Sequence, residues 1–124
     1  MEASRFQAVA FDRPGGESCG SACSRPIDLA HLSRQTLGDR SVEQEVLKLF
    51  VQQALMVRDR IEAASPVERL RLAHGLKGSA RGIGAFAIAD CVSEIETHPE
   101  DGGNLRRLSG LIDQVRDFIA AITR

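Results

Sequence analysis

The chain has 124 residues, a formal net charge of -1 and no Trp or Tyr. It can therefore bury one modest core, but it lacks the overall positive field and the aromatic rings that favour binding to nucleic acid or an anionic membrane. No apolar run approaches the ~20 residues of a spanning helix and the acidic start is unlike a signal peptide, so we expect a cytoplasmic protein with reduced cysteines.

Residues 1–26 are predicted to form an irregular N-terminal arm in front of a helical domain over residues 27–124. Residues 6–11 are apolar enough for a short strand or an extended segment, whereas the rest of the arm is rich in turn formers. Cys19 and Cys23 have the spacing of half a metal site, but the chain offers no second close Cys/His pair. We therefore interpret them as free thiols and predict no metal site.

After the arm, apolar residues recur with the 3.6-residue period of helices. The expected helices span, in chain order, 28–37, 41–64, 65–82, 85–97 and 104–123. Asp28, Ser41 and Ser65 are the expected caps of the first three, and Gly102 and Gly103 are expected to separate the last two. Short connections between long helices favour antiparallel neighbours, so the predicted fold class is all-α: an up-down antiparallel four-helix bundle with a short extra N-terminal helix.

The same period predicts which face of each long helix is buried. In the second helix the expected core residues are Val42, Val46, Leu49, Phe50, Ala54, Val57 and Ile61. In the fourth they are Ala85, Ile88, Ala89, Cys91, Val92 and Ile95. In the fifth, the 3-4 spacing typical of a packed bundle is shown by Leu105, Leu108, Ile112, Val115, Ile119 and Ile122.

The segment over residues 72–84, LAHGLKGSARGIG, holds the residues with chemical potential. At ~100° per residue, one side of the third helix holds Leu72, Leu76, Ser79 and Ile83. The opposite side holds His74, Lys77, Gly78 and Arg81, with Arg71 close by. If the leucine side is the core, the imidazole of His74 faces water, one turn from the ammonium group of Lys77.

Glycine and positive charge are both concentrated around His74. Each glycine inside a helix costs about 1 kcal/mol relative to Ala, so glycines on this exposed side indicate that a partner approaches the backbone closely. Residues 66–82 also carry four basic residues, Arg69, Arg71, Lys77 and Arg81, against the acidic Glu68, a net of +3 that suits an acidic or phosphorylated partner. The expected partner-binding residues are Arg71, Gly75, Gly78, Arg81 and Gly82.

A neutral imidazole nitrogen is a good nucleophile near pH 7. His74 could therefore attack an acyl phosphate on another protein and hold the phosphoryl group as a phosphoramidate, while Lys77 donates to its oxygens. An exposed histidine on a basic helix is by itself more often a solvated residue. The lysine one turn away and the three glycines are what favour a chemical role.

The run AHGLKGSA over residues 73–80, followed by Gly84-Ala85, resembles the signature of histidine phosphotransfer (HPt) domains. In that signature, Ala-His-x-Leu-Lys-Gly-x-Ala precedes a Gly-Ala pair. The resemblance covers residue 27 to the C-terminus and excludes the arm. Its upstream part consists of Ile27-Asp-Leu, Leu37-Gly-Asp39 and residues 46–50.

The resemblance implies a phosphocarrier that relays a phosphoryl group between receiver domains in a two-component phosphorelay, without a kinase domain of its own. His74 matches the phosphorylated histidine, Lys77 the lysine that steadies the phosphoryl group, and Gly78 the small residue that admits a receiver domain. Gly75 and Ser79 depart mildly from the usual pattern. The implied partners are response-regulator receiver domains and a hybrid histidine kinase, and we expect a monomer that needs no cofactor, any Mg²⁺ belonging to the partner.

A second interpretation is a helical interaction module that binds a receiver or a kinase as scaffold or inhibitor and takes no phosphate. A sensor-kinase histidine domain is disfavoured because Gly75, not an acidic residue, follows the histidine. A hydrolase is disfavoured because no Asp or Glu lies near His74 on its own helix. His31 and His98 lack the Lys-Gly run, so His31 is interpreted as a surface or cap-lining residue and His98 as a helix-end residue. The sequence leaves open which kinase and receivers take part, the direction of phosphate flow and the output.

Overall fold

A computed structural model describes residues 25–123. Over this range the chain forms five helices and no strand, which confirms the predicted all-helical fold and its short first helix. The helices are α1 (Leu29–Gln35), α2 (Arg40–Ile61), α3 (Pro66–Ile83), α4 (Phe86–Thr97) and α5 (Gly102–Ile122). The arm predicted for residues 1–26, with Cys19 and Cys23, lies almost entirely outside the described residues and stays a prediction.

Side-chain caps determine where the helices begin, because they satisfy N–H groups that the first turn leaves without a partner. Asp28 and Ser65 each accept a hydrogen bond from the backbone N–H three residues later, at 3.0 and 3.2 Å, as predicted. The prediction that Ser41 caps α2 is wrong. Asp39 accepts the equivalent bond at 3.1 Å, and α2 therefore begins earlier than expected.

Two helix ends also differ from the prediction. Gly102 and Gly103 do not separate α4 from α5 but form the first turn of α5, because the Asp101 carboxylate accepts a hydrogen bond from the Gly103 N–H at 2.8 Å. At the end of α1, Leu37 and Gly38 have φ angles of 56° and 77°. This left-handed backbone cannot continue a right-handed helix, so α1 stops before the predicted end.

The turn between α3 and α4 depends on Gly84, whose φ is 91°. The N–H groups of Gly84 and Ala85 both donate to the carbonyl of Ala80, at 3.0 and 2.8 Å, which closes the end of α3. The N–H of Asp28 donates to the Gly84 carbonyl at 2.9 Å, and a Cβ on Gly84 would lie 2.8 Å from the Asp28 carbonyl oxygen. The backbone entering α1 is thus packed directly on this turn.

The four long helices enclose one core. α2 contacts α3 and α5, α4 contacts the same two helices, and α1 packs on α3. Cys91 is buried, as expected, and burial raises the pKa of its thiol. The fourth-helix core prediction is confirmed in full, and the fifth is confirmed except for Ile122, which is 37% exposed.

The buried faces of α2 and α3 are rotated from the predicted ones. On α2, Val42 and Leu49 are exposed, whereas Leu47 takes a core position. On α3, Ala73 and Ala80 are fully buried together with Leu76 and Ile83, whereas Leu72 and Ser79 are only half-buried. The reason is that α3 packs between α2 and α4, so that the face bearing these residues is covered by both neighbours.

Candidate functional site

α3 holds His74 on the outside of the bundle. Its side chain is 77% exposed, as the sequence predicted. Five residues before His74, Arg69 attaches α3 to the neighbouring chain segments. Its guanidinium donates to the carbonyls of Ile61 and Pro99, each at 2.9 Å, and to that of Glu62. Arg69 therefore joins three chain segments and is not part of a cationic surface around His74, contrary to the sequence-based expectation.

The carboxylate of Glu96, on α4, contacts both predicted chemical residues. Its Oε2 lies 3.2 Å from Nδ1 of His74, and its Oε1 is paired with Nζ of Lys77. Glu96 is only 25% exposed and Lys77 only 17%. No acidic residue near His74 was expected from α3 itself, and the neighbouring helix supplies one.

Sequence reasoning missed Glu96, although a signal was present. Glu96 follows Ala89 by seven residues and Val92 by four, so it shares the buried stripe of α4 with them. An acidic residue on an otherwise apolar stripe indicates a paired carboxylate. Which helix supplies its partners cannot be read from that pattern.

The hydrogen bond from Lys77 lowers the pKa of the Glu96 carboxyl, and the contact with His74 acts in the same direction while desolvation opposes both. Glu96 is therefore ionised at neutral pH. Because an ionised carboxylate can only accept, Nδ1 of His74 must be the donor in this contact. The neutral ring then has its lone pair on Nε2, the nitrogen that faces away from Glu96.

The sequence suggested a lysine beside His74 with no carboxylate partner, and in the structure Lys77 has one. Its half-buried ammonium group is turned towards α4 and paired with Glu96. An ammonium group carries three N–H donors, so this pairing uses only part of its hydrogen-bonding capacity.

The remaining positive side chains differ in how strongly they are engaged. Arg71 makes a two-pronged hydrogen bond to Glu68, at 2.6 and 2.9 Å, and its charge is already matched. Arg81 is exposed and forms no ion pair with any other described residue. It lies two turns along α3 from His74, about 10 Å at 1.5 Å per residue. Arg71 and Lys77 are thus paired with carboxylates and Arg69 is bound to backbone carbonyls, which leaves Arg81 as the basic residue of α3 without a partner among the described residues.

The three glycines leave open space on α3. A Cβ at Gly78 or at Gly82 would meet nothing within 4 Å, and one at Gly75 would meet only Nε2 of Gln53, at 3.9 Å. Packing within residues 25–123 thus gives no reason for glycine at these positions, unlike Gly84. Because glycine lowers helix stability, its presence here agrees with the expectation that a partner approaches the backbone of α3.

Among residues 25–123, no three His, Cys, Asp or Glu side chains are grouped so that they could hold a metal ion. In the same part of the chain, no helix combines the length and apolar character needed to cross a membrane. His31 is half-buried, with its ring packed edge-on against Phe86 and the ring centroids 5.1 Å apart.

A family model described as the Hpt domain matches residues 45–123. The match includes His74, Lys77 and Glu96, and it spans parts or all of the four long helices. No curated protein and no solved structure gives a match to the chain.

Proposed function

This chain belongs to the Hpt domain family of two-component phosphotransfer modules, and we propose that it relays a phosphoryl group between receiver domains on Nε2 of His74. The observation that carries this proposal is the exposed imidazole of His74, whose Nδ1 lies 3.2 Å from the ionised carboxylate of Glu96. An imidazole held in this way presents one nucleophilic nitrogen to solvent.

The transfer is a displacement at phosphorus. The Nε2 lone pair attacks the phosphorus of an aspartyl phosphate on the receiver, the bond from phosphorus to the carboxyl oxygen breaks, and the aspartate leaves with that electron pair. The Nδ1 proton stays on the ring, where the Glu96 carboxylate balances the positive charge that develops. The reverse steps pass the phosphoryl group to another receiver.

Glu96 acts in this scheme as a positioning residue. It selects the tautomer in which Nε2 is unprotonated, and it fixes the ring orientation through Nδ1. Lys77 keeps Glu96 ionised by lowering the pKa of its carboxyl. We assign Lys77 the further role of donating one of its remaining N–H groups to the phosphoryl oxygens.

We propose that the four long helices form the up-down antiparallel bundle expected from the sequence. The shared grooves support it. The beginning of α2 and the end of α5 line one groove, with Gln44 and Thr123 among the lining residues. The end of α2 and the beginning of α5 line another, which includes Ile61 and Leu105.

We further propose response-regulator receiver domains and a hybrid histidine kinase as partners of a monomeric, cytoplasmic phosphocarrier. Transfer needs no cofactor on this chain, and Mg²⁺ is required only at the aspartate site of the receiver. Arg81 and the backbone at Gly78, which no side chain covers, are best placed to contact the acidic residues around such a site.

The direct test is to mix the chain with receiver domains carrying radiolabelled aspartyl phosphate. We expect acid-labile, alkali-stable label on the wild-type chain and none on His74→Gln, with the helical circular dichroism unchanged. Label that persists on His74→Gln would remove His74 from this role. Binding without any transfer would instead favour the scaffold or inhibitor interpretation.

A further inference from the structure

A cavity of about 590 Å³ lies where the beginnings of α1 and α4 meet the middle of α5. Its apolar lining includes the half-buried Leu29 and Leu111 and the ring of Phe86, which is 41% exposed. Sites that bury a ligand typically have volumes of about 300–1,000 Å³. This cavity is therefore large enough to receive more than one side chain.

The rim of this cavity carries charges of both signs. Arg25 and Arg107 supply exposed positive charges, and Asp28 and Asp90 supply exposed negative ones. Asp28 caps α1, whereas the other three form no ion pair with any residue that the structure describes. A simple anion or cation would meet like charge as well as opposite charge here, so the rim favours an occupant that itself carries both signs.

The cavity and the reactive histidine lie on different sides of α4. Asp90, on the cavity rim, precedes Glu96, the contact of His74, by six residues. Six residues correspond to about 9 Å along a helix and about 120° around it. An occupant of the cavity therefore does not have to cover the nitrogen that takes the phosphoryl group.

The described part of the chain begins at this cavity, because Arg25 is both its first residue and a lining residue. The preceding residues contain one apolar segment, FQAVAF, over residues 6–11. This segment holds two of the five phenylalanines of the chain, and burying such side chains is favourable. The chain thus brings its own apolar segment close to an open apolar cavity.

Residues 12–24 separate this segment from Arg25. A connection of this length can span at most about 45 Å, and the Pro-Gly-Gly sequence at residues 14–16 favours a reversal of chain direction. A short connection also holds an attached segment near its target at an effective concentration of about a millimolar. Even a weak contact with the cavity is then sufficient for it to be occupied.

We infer that the segment over residues 6–11 docks into the cavity between α1, α4 and α5, where Phe6 and Phe11 pack against Phe86. The exposed ring of Phe86 offers a surface for the edge-to-face or offset packing that aromatic rings prefer. Docking there attaches the N-terminal arm to the bundle and leaves the side chain of His74 exposed.

The charges that flank the segment support this occupant. Arg5 precedes it and Asp12 follows it, so the segment carries one charge of each sign, as the rim requires. Arg5 is complementary to Asp90 on α4, and Asp12 is complementary to Arg107 on α5.

The test measures how a spin label on the segment broadens the amide signals of the bundle in nuclear magnetic resonance spectra. The label is attached to Gln7→Cys in the full-length chain, which also carries Cys19→Ser and Cys23→Ser. Cys91 is retained because it is buried and because burial raises the pKa of its thiol, which leaves little reactive thiolate. The labelled position replaces the polar residue of the segment and leaves both phenylalanines in place.

In the labelled chain we expect the amide signals around the cavity, those of Ala30, Ala87 and Leu111, to lose most of their intensity. The signals of Val51 on α2 and of Gly78 beside His74 should keep theirs. A label that is merely tethered nearby would broaden signals without depending on the phenylalanines, so variants of the segment and of the rim are needed to distinguish docking from proximity.

Adding Phe6→Ser/Phe11→Ser to the labelled chain should restore the intensity of the cavity signals, because the length of the connection is unchanged and only the apolar contact is lost. Arg107→Glu should restore part of it. The matched control is Arg106→Glu, at an exposed neighbouring position that does not line the cavity, and it should leave the broadening as it is.

Equal spectra for the labelled chain with and without Phe6→Ser/Phe11→Ser would overturn the inference. Broadening centred on Gly75 and Gly78 would overturn it as well, because the segment would then cover the reactive histidine. A mixture of spin-labelled chain with ¹⁵N-labelled chain that carries no spin label tests for a second copy. Cavity signals that are broadened in this mixture as strongly as in the singly labelled chain would show that the segment comes from another molecule, and the inference would be wrong.

Discussion

The carboxylate of Glu96 on α4 lies 3.2 Å from Nδ1 of His74 on α3, while its other oxygen is paired with Lys77. This one contact determines which imidazole nitrogen is available, because an ionised carboxylate requires a donor. The reactivity of a residue on α3 is therefore controlled by a residue on the neighbouring helix.

Glu96→Gln is expected to slow phosphotransfer about tenfold or more, the effect of losing a charge-assisted hydrogen bond. The amide carbonyl can still accept from Nδ1, but it no longer balances the charge that develops on the ring. Rates of label transfer at saturating receiver check this. Glu94→Gln, at an exposed position two residues earlier on α4, is the matched control, and equal rates for the two variants would show that Glu96 has no role in positioning.

The lowered pKa of Glu96 predicts how stability depends on pH. The folded-state pKa of this carboxyl lies below its unfolded value of about 4.3, so its contribution to the free energy of unfolding is fully present above the unfolded pKa. It is lost as pH falls through the folded-state pKa. Urea unfolding between pH 7 and pH 3 should show a steeper loss for the wild type than for Glu96→Gln.

Because Lys77 is the first cause of that shift, Lys77→Ala should remove most of the same pH dependence, whereas His74→Gln should retain most of it. If the free energy of unfolding of Lys77→Ala depends on pH as that of the wild type does, Lys77 is not the main cause of the lowered Glu96 pKa.

Lys77→Ala is also expected to shorten the phosphohistidine lifetime several-fold, because the phosphoryl oxygens lose a nearby donor. The lifetime is measured as the decay of label on the isolated chain after the receiver has been removed. Lys48→Ala, at an exposed position on α2, controls for the loss of one positive charge from the surface. If both variants decay at the wild-type rate, Lys77 serves only its pairing with Glu96.

Arg81→Ala should raise the half-saturating receiver concentration more than Arg71→Ala does. Arg71 already has its charge matched by Glu68, whereas Arg81 forms no ion pair with another described residue, so the partner gains more from Arg81. The difference should shrink as salt is raised. Equal effects at low salt would mean that the Glu68 pairing leaves Arg71 equally available.

Substitution by alanine should change stability in opposite directions at Gly78, within α3, and at Gly84, directly after it. Gly78→Ala is expected to raise stability by about 1 kcal/mol, the difference in helix propensity, because the added Cβ meets no atom within 4 Å. Gly84→Ala should lower stability by about 1–2 kcal/mol for the left-handed backbone, and further because the Cβ would lie 2.8 Å from the Asp28 carbonyl oxygen. Thermal unfolding distinguishes the two, and a stabilising Gly84→Ala would contradict the described turn.

Within a single helix, the sequence predicted the structure well. The caps Asp28 and Ser65, the exposed His74 and the core stripes of α4 and α5 all depend on periodicity and on groups a few residues apart. The errors at Ser41 and at Gly102–Gly103 arose where another side chain, Asp39 or Asp101, was available as the cap. A local sequence pattern does not show which of two nearby residues caps the helix.

Between helices, the sequence was a weaker guide. The apolar residues of α2 divide into a core stripe and an exposed stripe, and periodicity did not assign Val42 and Leu49 to the exposed one. The two stripes share a spacing, and only the packing of α2 against α3 and α5 decides which faces inward. The same holds for Arg69, whose charge suggested a binding role that its three carbonyl contacts exclude.

The sequence by itself determined that this chain is helical and that one helix bears an outward histidine with lysine and glycine at one-turn spacing, since these are properties of a single backbone with a fixed rotation per residue. Only the tertiary structure decided that Glu96 meets His74 and Lys77, that Arg81 is left without a described partner, and that Val42 and Leu49 on α2 are exposed. Those relationships depend on how α2 and α4 are set against α3, and that register results from the combined packing of the whole core.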